Sequence, residues 1–387
     1  MNTVNLTARP VEPPTVLCEV KGQVGFITLN RPKALNALSL EMIRALMACL
    51  LAWRDDAAVK AVAIRGVNKN GPFGAFCAGG DIRFFHQAAL ADNPELDDFF
   101  TEEYALNHLI HTFPKPYIVF MDGIVMGGGM GLCGHGRAPA FASGHMASLR
   151  IVTERSKLAM PETLIGLFPD VGGGYFLSRC PGRTGEWLAM TGETLGGGEA
   201  LNLGLADVCF DAVELQSAWD ALAYIDFAQS AMVKAWVAMY SIAASAGATV
   251  ATGQIDQYFS MESVAAIVQA LEAESDEWAR HTAALLRKRS PLMLHVALEQ
   301  IRRARTLSLA DDLRMERDLV QHCFHPVHLG RTGIQSDTVE GIRALAVDKD
   351  QLPRWNPARI EEVNAAMVVP FFASPWTPDK HPLRDLI

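Results

Sequence analysis

Apolar and polar positions near the N-terminus predict a strand, a helix and a second strand. The segments 22–30 (GQVGFITLN) and 59–66 (VKAVAIRG) are rich in β-branched residues, and the second places Val62 and Ile64 on one side. Between these strands, four apolar residues recur at helical spacing: Met42, Leu46, Leu50 and Trp53. Ser39 precedes them and is a plausible N-cap for this helix.

Strands, Gly-rich loops and helices go on alternating to about residue 210. A helix is predicted over residues 98–112, with Leu106 and Ile110 on its buried face, and an apolar strand begins at Tyr117. Such alternation is typical of α/β folds with crossover connections between parallel strands. We therefore predict an α/β fold.

The pattern changes after residue 212. Glycine becomes less frequent, and long helical periods dominate, as in the segment 214–240. The sequence thus predicts three parts: a loose N-terminal leader over residues 1–14, an α/β core with the active site over residues 15–212, and a mainly helical region over residues 213–387.

Composition narrows the classes of partner. Half of the 387 residues are apolar, a fifth are charged, and the net charge of −9 disfavours nucleic acid as a partner. No apolar run approaches the roughly 18 residues of a membrane span, so no membrane partner is expected. The N-terminal segment has neither the apolar stretch of a secretory signal nor the arginines of a transit peptide. These observations predict a cytoplasmic protein.

The seven cysteines support the same compartment. Their number is odd, their spacing is wide, and no C-x-x-C occurs. This usage predicts reduced, mostly buried thiols, as in cytoplasmic proteins.

Two Gly-rich loops follow predicted strands, at residues 75–82 (AFCAGGDI) and 123–131 (GIVMGGGMG). Glycine lets a ligand approach the backbone closely and leaves N–H groups pointing outward. Two such loops could each donate one N–H to the same oxygen and so form an oxyanion hole. Each loop could equally be a tight turn between a strand and a helix.

A third stretch, residues 160–174 (MPETLIGLFPDVGGG), carries two acids in apolar surroundings. No Lys or Arg lies between Glu162 and Asp170 to neutralise them. Such carboxyl groups have raised pKa values and suit acid–base or nucleophilic chemistry. Asp170 could instead cap a helix that starts at Val171 or Gly172.

Glu103 is a less obvious candidate. It shares the predicted inward face of Leu106 and Ile110 in the helix over residues 98–112. The alternative is an exposed acid at the edge of that helix.

A dinucleotide-binding turn is another interpretation of the second Gly-rich loop. Three glycines form a G-x-G-x-x-G pattern: Gly129, Gly131 and Gly134. Glu154 lies at the distance expected of the acid that binds a ribose, but its surroundings do not resemble the end of an apolar strand.

Three histidines near the C-terminus are spaced three apart: His322, His325 and His328. Pro326 interrupts any single helical face between them, and no partner carboxylate pattern is visible. No metal site is predicted.

Taken together, five stretches resemble landmarks of the enoyl-CoA hydratase/isomerase (crotonase) superfamily, in its order: LNRPKALNALS, FCAGGDI, GGGMGL, PETLIGLFPDVGG and TGETLGGGEALNLGLADV. This resemblance covers residues 15 to about 210. Within the superfamily, the chain is most similar to the 3-hydroxyisobutyryl-CoA hydrolases, through residues 102–107, 126–132, 160–177 and 340–358.

The resemblance implies a crotonase-like ββα spiral core followed by a mainly helical C-terminal part. It also implies hydrolysis of a short 3-hydroxyacyl-CoA thioester, above all 3-hydroxyisobutyryl-CoA from valine breakdown. A hydratase or isomerase of the same superfamily is the alternative. A non-catalytic acyl-CoA-binding relative is a further one.

Gly131 bears on this choice. By the resemblance, hydratases carry a catalytic glutamate at this position, and dienoyl-CoA isomerases also carry an acid there. Syn-addition of water needs two carboxyl groups around the double bond. A glycine at position 131 therefore disfavours both reactions.

The resemblance also implies a role for each site residue. The N–H groups of Gly80 and Gly128 would bind the thioester oxygen, and Glu162 would attack the carbonyl carbon or activate a water. Asp170, the second catalytic residue, and Glu103 would line the acyl pocket, where they would bind the substrate hydroxyl or position water. No metal or other cofactor is implied, because coenzyme A is part of the substrate.

The coenzyme A arm would run along the segment KALNA, by the same resemblance. The implied substrate-binding residues there and in the neighbouring loop are Lys33, Ala34, Leu35, Ala37, Gly79 and Asp81. Lys33, Lys349 and Arg354 are candidates for phosphate contacts, or solvated surface charges. The expected partner is a small acyl-CoA, and the superfamily often forms homo-oligomers, trimers or hexamers.

Overall fold

A computed structural model describes residues 13–135, 148–243 and 250–387 of the chain. The predicted leader therefore lies almost wholly outside the described residues. The described strands are β1 (Val16–Lys21), β2 (Val24–Leu29), β3 (Ala61–Asn68), β4 (Gly71–Pro72), β5 (Tyr117–Met121), β6 (Ile124–Met126), β7 (Ser148–Val152), β8 (Lys157–Ala159), β9 (Leu195–Gly196) and β10 (Val208–Cys209).

Helices surround these strands and dominate the second half of the chain. The α-helices up to residue 221 are α1 (Leu40–Asp55), α2 (Ile82–Ala91), α3 (Glu95–Thr112), α4 (Gly128–Gly131), α5 (Gly173–Leu177), α6 (Thr184–Thr191), α7 (Gly197–Asn202) and α8 (Leu215–Ala221). Those that follow are α9 (Ser230–Tyr240), α10 (Thr252–Phe259), α11 (Val264–Glu272), α12 (Glu277–Leu286), α13 (Pro291–Ala304), α14 (Leu309–Phe324), α15 (Asp337–Ile342) and α16 (Ala365–Val368).

The main sheet runs in the order β1-β2-β3-β5-β7-β10, with β4 paired to β3. Strands β1 and β2 form an antiparallel hairpin, and every later pair along this path is parallel. In β3, Val62 and Ile64 join the larger buried cluster, whereas Ala61 and Ala63 join a second cluster. Because side chains alternate across a strand, the two clusters cover opposite faces of the sheet. The predicted α/β fold is confirmed.

Local predictions hold where the sequence signals are strong. Helix α1 begins after Ser39, whose side chain accepts a hydrogen bond from the Met42 N–H. The helix predicted over residues 98–112 starts three residues earlier, at Glu95. Acids at its start, Asp97 and Asp98 among them, suit the positive end of a helix dipole.

A small second sheet, β6-β8-β9, positions two of the predicted site loops. Strands β6 and β8 are parallel, with Met126 opposite Ala159. The Gly127 N–H donates to the Ala159 carbonyl oxygen over 3.2 Å. The glycines that follow β6 and the acid that follows β8, Glu162, therefore leave the same end of this sheet.

The C-terminal helices pack directly on the α/β part. One buried cluster includes residues from Val16 in β1 to Leu383 near the C-terminus. Within the described part of the chain, no helix is both long and apolar enough to cross a membrane. The division at residue 213 stays a prediction.

The prediction that all cysteines are reduced thiols is wrong for two of them. Cys18 in β1 and Cys49 in α1 form a disulfide, with Cα atoms 6.9 Å apart. Strand β1 lies beside the second half of α1, which contains Cys49. The 31-residue separation of the two cysteines in the chain does not predict this contact. The other five cysteines are free and buried, as predicted: Cys77, Cys133, Cys180, Cys209 and Cys323.

Candidate active site

A cavity of about 220 Å³ brings the predicted loops together. Its polar wall consists of three carboxyl groups and a run of backbone, and its other walls are apolar. The lining residues are Ala78, Gly79, Gly80, Ile82, Phe85, Phe100, Glu103, Met126, Gly127, Gly128, Pro161, Glu162, Leu164, Ile165, Leu167, Asp170 and Leu345. All three predicted acids and both predicted oxyanion glycines are therefore in one cavity.

Backbone pairing holds the two Gly-rich loops side by side. The Met126 N–H donates to the Cys77 carbonyl oxygen over 3.0 Å, and the Cys77 N–H donates to that of Ile124 over 3.0 Å. Gly79 and Gly127 have φ angles of +100° and +49°, which glycine adopts without strain. These turns direct the following residues, Gly80 and Gly128, into the cavity.

The N–H groups of Gly80 and Gly128 are neighbours. A Cβ atom built on Gly128 would lie 3.4 Å from the Gly80 nitrogen. Among the hydrogen bonds of the described residues, none uses either of these N–H groups as donor. Two unused backbone donors thus face one part of the cavity.

Glu162 opens a 3-10 turn, Glu162–Ile165, directly after Pro161. Its side chain is 6 % exposed, and its Oε2 atom has no hydrogen-bond partner in the described structure. The Oε1 atom would be 2.7 Å from a Cβ on Gly127. Burial, and then the nearby Asp170 carboxylate, raise the pKa of Glu162 well above its ordinary value.

Asp170 lies in the loop before α5 and is 5 % exposed. Its Oδ2 atom accepts a hydrogen bond of 2.9 Å from the Tyr104 hydroxyl. The alternative that Asp170 caps a helix is wrong, because α5 begins at Gly173 with Gly172 as N-cap. Burial raises the pKa of Asp170 to about 7, although the Tyr104 hydrogen bond acts in the opposite direction.

Glu103 lies on the buried face of α3, as its spacing with Leu106 predicts, and is 2 % exposed. Its Oε1 atom has no hydrogen-bond partner among the described residues. Burial raises the pKa of Glu103 well above its ordinary value, and the charges of Asp170 and Glu162 add to this effect. Since the cavity lining contains no Lys or Arg, the three carboxyl groups cannot all ionise cheaply.

Side chains from the C-terminal helices hold the loop that carries Asp170. Glu316 in α14 accepts hydrogen bonds from the Gly172 and Gly174 N–H groups, over 2.7 and 3.0 Å. Gln300 in α13 donates to the Pro169 carbonyl oxygen over 2.7 Å and to Glu316 over 3.1 Å. The predicted site thus depends on helices outside the region that carries the sequence motifs.

Three residues that support the site are not predicted from the sequence: Tyr104, Gln300 and Glu316. Tyr104 lies within the segment 102–107 that carries part of the resemblance, so a signal was present. Gln300 and Glu316 lie on amphipathic helices with no distinguishing motif. Their function depends on which loop the helices contact.

Of the predicted coenzyme A residues, Gly79 lines the cavity, and Leu35 contacts a residue of its lining. The turn Pro32–Ala34 contains exposed Lys33, and the Leu35 carbonyl oxygen accepts from the Ala78 N–H over 3.1 Å. Gly79 and Ala78 line the cavity. The binding roles of Lys33, Ala34, Leu35, Ala37 and Gly79 stay predictions.

Asp81 has contacts that need no substrate. Its Oδ2 atom accepts from Arg31 over 2.8 Å, and its Oδ1 atom accepts from the Phe84 N–H at the start of α2. It does not line the cavity. Lys349 and Arg354 are exposed and follow Leu345, which lines the cavity. Their phosphate contacts also stay predictions.

Gly131 is tightly packed. A Cβ atom there would lie 2.7 Å from Cβ of Val171 and 2.8 Å from Nδ2 of Asn107. A side chain at this position would therefore displace the loop beside Asp170. The place where a hydratase would carry its second acid is filled by other groups.

The same packing opposes the dinucleotide hypothesis. A Cβ on Gly129 would collide with the Cys77 carbonyl oxygen and one on Gly131 with Val171, so these two glycines contact protein and leave no room for a pyrophosphate. Glu154 is exposed, and its carboxylate accepts from the Ala212 N–H over 3.2 Å.

The histidine pattern does not assemble into a metal site. The rings of His322 and His328 are 5.0 Å apart, in contact with Phe371. In the ranges 13–135, 148–243 and 250–387, no three His, Cys, Asp or Glu side chains are grouped as metal ligands.

The chain is similar to known proteins over most of its length. The enoyl-CoA hydratase/isomerase family matches residues 24–372. A 3-hydroxyisobutyryl-CoA hydrolase, mitochondrial, of Gallus gallus is 37% identical over 91% of this chain and 87% of its own. The 3-hydroxyisobutyryl-CoA hydrolase 1 of Arabidopsis thaliana is 38% identical over 92% of this chain and 91% of its own.

Two solved structures are similar over nearly their whole length. A carnitinyl-CoA dehydratase from Mycobacterium thermoresistibile has 38% identity and a TM-score of 0.82, over 95% of this chain and 98% of its own. An enoyl-CoA hydratase from Rhodobacter sphaeroides has 35% identity and a TM-score of 0.80, over 94% and 98%. On its fold, its site and these similarities, the chain belongs to the enoyl-CoA hydratase/isomerase family.

Proposed function

We propose that this protein hydrolyses a short 3-hydroxyacyl-CoA thioester, with 3-hydroxyisobutyryl-CoA as the leading substrate. One observation carries the proposal: the carboxyl group of Glu162, whose Oε2 atom has no hydrogen-bond partner among the described residues, lies against Gly127 in the cavity that the unused N–H groups of Gly80 and Gly128 line. A nucleophile or base next to two convergent backbone donors is the arrangement that acyl transfer requires.

The two N–H groups would act as the oxyanion hole. They would bind the thioester oxygen and stabilise the negative charge that develops on it when the carbonyl carbon is attacked. Removing one such donor typically costs on the order of 100- to 1000-fold in rate. Because Gly80 pairs with Leu38 in a β-bridge and Gly128 begins α4, both donors belong to ordered backbone and need little reorganisation during the reaction.

Glu162 would supply the attacking group in one of two ways. Its carboxylate oxygen attacks the carbonyl carbon, the C–S bond breaks, and water then hydrolyses the mixed anhydride. Alternatively, Glu162 removes a proton from a water that attacks the same carbon. In either route, its raised pKa makes the ionised carboxylate a stronger base.

Asp170 and Glu103 would bind the acyl part. Asp170, as the carboxylate, would accept a hydrogen bond from the substrate hydroxyl or orient a water, whereas Glu103, whose pKa lies well above its ordinary value, would donate a hydrogen bond or a proton to the departing thiolate. The cavity of about 220 Å³, lined in part by Phe85 and Phe100, suits a short acyl group. Coenzyme A leaves as a thiol, so the proposed reaction needs no metal or other cofactor.

The curated relatives named as 3-hydroxyisobutyryl-CoA hydrolases support this substrate. The two similar solved structures, a carnitinyl-CoA dehydratase and an enoyl-CoA hydratase, favour a second candidate, hydration or dehydration of an enoyl-CoA. Against that candidate, position 131 lacks an acid, and Val171 and Asn107 fill the space where one would lie.

Thiol release from 3-hydroxyisobutyryl-CoA, followed with a thiol reagent, tests the proposal. We expect turnover of this substrate and little hydration of crotonyl-CoA, and the reverse result would refute hydrolysis. Glu162→Gln should lose most turnover while still binding acyl-CoA. Glu41→Gln, an exposed acid at the start of α1, is the matched control and should behave as the unchanged protein.

The cellular location of the protein is also a proposal. We infer a cytoplasmic location, for which five buried free thiols are support, whereas the Cys18–Cys49 disulfide and the word mitochondrial in several relatives' names point elsewhere. Cell fractionation tests this location.

We also infer that the protein forms a homo-oligomer, a trimer or hexamer. Exposed apolar side chains between residues 213 and 239 support it, and light scattering tests it.

A further inference from the structure

Tyr104 is a fully buried phenol in direct contact with the active-site carboxyl cluster. It lies on α3, one residue after Glu103, and its side chain is 0 % exposed. Its hydroxyl donates to Oδ2 of Asp170 over 2.9 Å, across a sequence separation of 66 residues. It does not line the cavity, so it can reach a substrate only through Asp170.

The position of the Tyr104 ring is determined by packing. Its centroid lies 6.1 Å from that of Phe100, which lines the cavity, in an edge-to-face arrangement. Phe100 in turn contacts Phe85 and Phe324. The phenol therefore cannot rotate away from Asp170 without disturbing this aromatic cluster.

We propose that Tyr104 is a positioning residue for the proposed hydrolysis, holding one oxygen of the Asp170 carboxylate so that the group stays aimed into the cavity. This inference rests on the proposed function for its kinetic consequences. A hydroxyl that donates to a carboxylate stabilises the anion more than the acid. Tyr104 thus keeps Asp170 the most readily ionised member of a cluster that burial drives towards protonation.

Among the described residues, Tyr104 is the side chain that donates a hydrogen bond to Asp170, and the backbone N–H of Asp170 itself adds a second donor. The ionisable groups that act on it or respond to its charge are Glu103, Tyr104, Glu162, Glu316 and Cys323. The four other than Tyr104 are acids or a thiol, each with a raised pKa. Tyr104 is the member of this group whose hydrogen bond lowers the pKa of Asp170.

The Tyr104→Phe variant removes the hydroxyl and keeps the packed ring. We expect kcat near neutral pH to fall about tenfold with little change in KM, and the acidic limb of the kcat profile to move up by about one pH unit. Tyr117→Phe is the matched control. Tyr117 is also fully buried, but its hydroxyl has no hydrogen-bond partner in the described residues.

Two further measurements distinguish positioning of Asp170 from a merely structural role of Tyr104. They also distinguish failure of this proposal from failure of the proposed function. In an Asp170→Asn background, Tyr104→Phe should change kcat little further, because both act through the same group. Carbon NMR of labelled aspartate, assigned by loss of one signal in Asp170→Asn, should show Asp170 titrating at higher pH in Tyr104→Phe. The titration needs no substrate, so it stands even if the substrate proposal fails. An unchanged Asp170 titration, or a pH profile that superimposes on that of the control, would overturn the proposal.

Discussion

The Oε1 atom of Glu103 occupies the space beside Gly128, only 2.5 Å from where a Cβ on that glycine would lie. Gly128 is therefore required for two reasons: it presents an N–H to the cavity and admits a carboxyl group against its backbone. Gly128→Ala should displace Glu103 and the loop, and we expect kcat to fall on the order of 10- to 100-fold.

Gly253→Ala is the control for this glycine substitution. Gly253 lies in α10, and a Cβ there would meet no atom within 4 Å. Alanine there should leave turnover unchanged and raise helix stability by up to about 1 kcal/mol. Equal turnover of Gly128→Ala and Gly253→Ala in a thiol-release assay would contradict the role given to Gly128.

Gly131→Glu tests whether the missing acid alone prevents hydration. The new side chain would collide with Val171 and Asn107, so we expect a loss of about 1–3 kcal/mol or more in unfolding free energy. Because these groups already fill the position, the variant should gain no hydration of crotonyl-CoA. Denaturant unfolding and an absorbance assay measure the two effects, and a gain of hydratase activity would show that the site can accommodate the acid.

The carboxyl cluster predicts a specific pH dependence of stability. Asp170 has a folded-state pKa of about 7 against 3.8 when unperturbed, so the folded state holds this proton more tightly than the unfolded chain. The stabilisation is fully present below the unfolded pKa and is lost as pH rises through the folded one. The protein should therefore lose stability as pH rises over this window.

Asp170→Asn removes that loss. We expect its Tm to exceed that of the unchanged protein at about pH 8 and the difference to shrink towards about pH 4, with each pKa unit worth about 1.4 kcal/mol. Asp311→Asn, an exposed acid on α14, should show no such trend. Parallel Tm curves for the unchanged protein and Asp170→Asn would contradict the raised pKa.

Glu316→Ala tests whether the C-terminal helices hold the active site. It would leave the buried Gly172 and Gly174 N–H groups without an acceptor, at a cost of about 1–3 kcal/mol each. The loop carrying Asp170 would loosen, so kcat should fall together with stability. Asp311→Ala, on the same helix, should cost less than about 1 kcal/mol and spare kcat. A fully active Glu316→Ala variant would show that the loop holds its own shape.

Much of the site could be predicted because its residues are unusual for the short segments in which they lie. Glu162 and Asp170 stand out as acids without nearby cations in an apolar, Pro- and Gly-rich loop, and Gly80 and Gly128 belong to glycine runs after strands. The cap interpretation of Asp170 is wrong because α5 begins only at Gly173, and the carboxylate instead accepts from Tyr104, 66 residues away in the chain. The Cys18–Cys49 disulfide was missed because strand–helix proximity leaves no mark in cysteine spacing.

The sequence by itself determined the α/β alternation, the glycine loops and the identity of the acids, since these depend on periodicity and on residue types that act over a few positions. Only the tertiary structure decided which groups meet. The parallel pairing of β6 and β8 brings Glu162 beside Gly127, and α14 brings Glu316 to the loop of Asp170. Contacts between distant segments follow from the packing of whole faces, and burial by those faces then raises the pKa of each acid in the cavity.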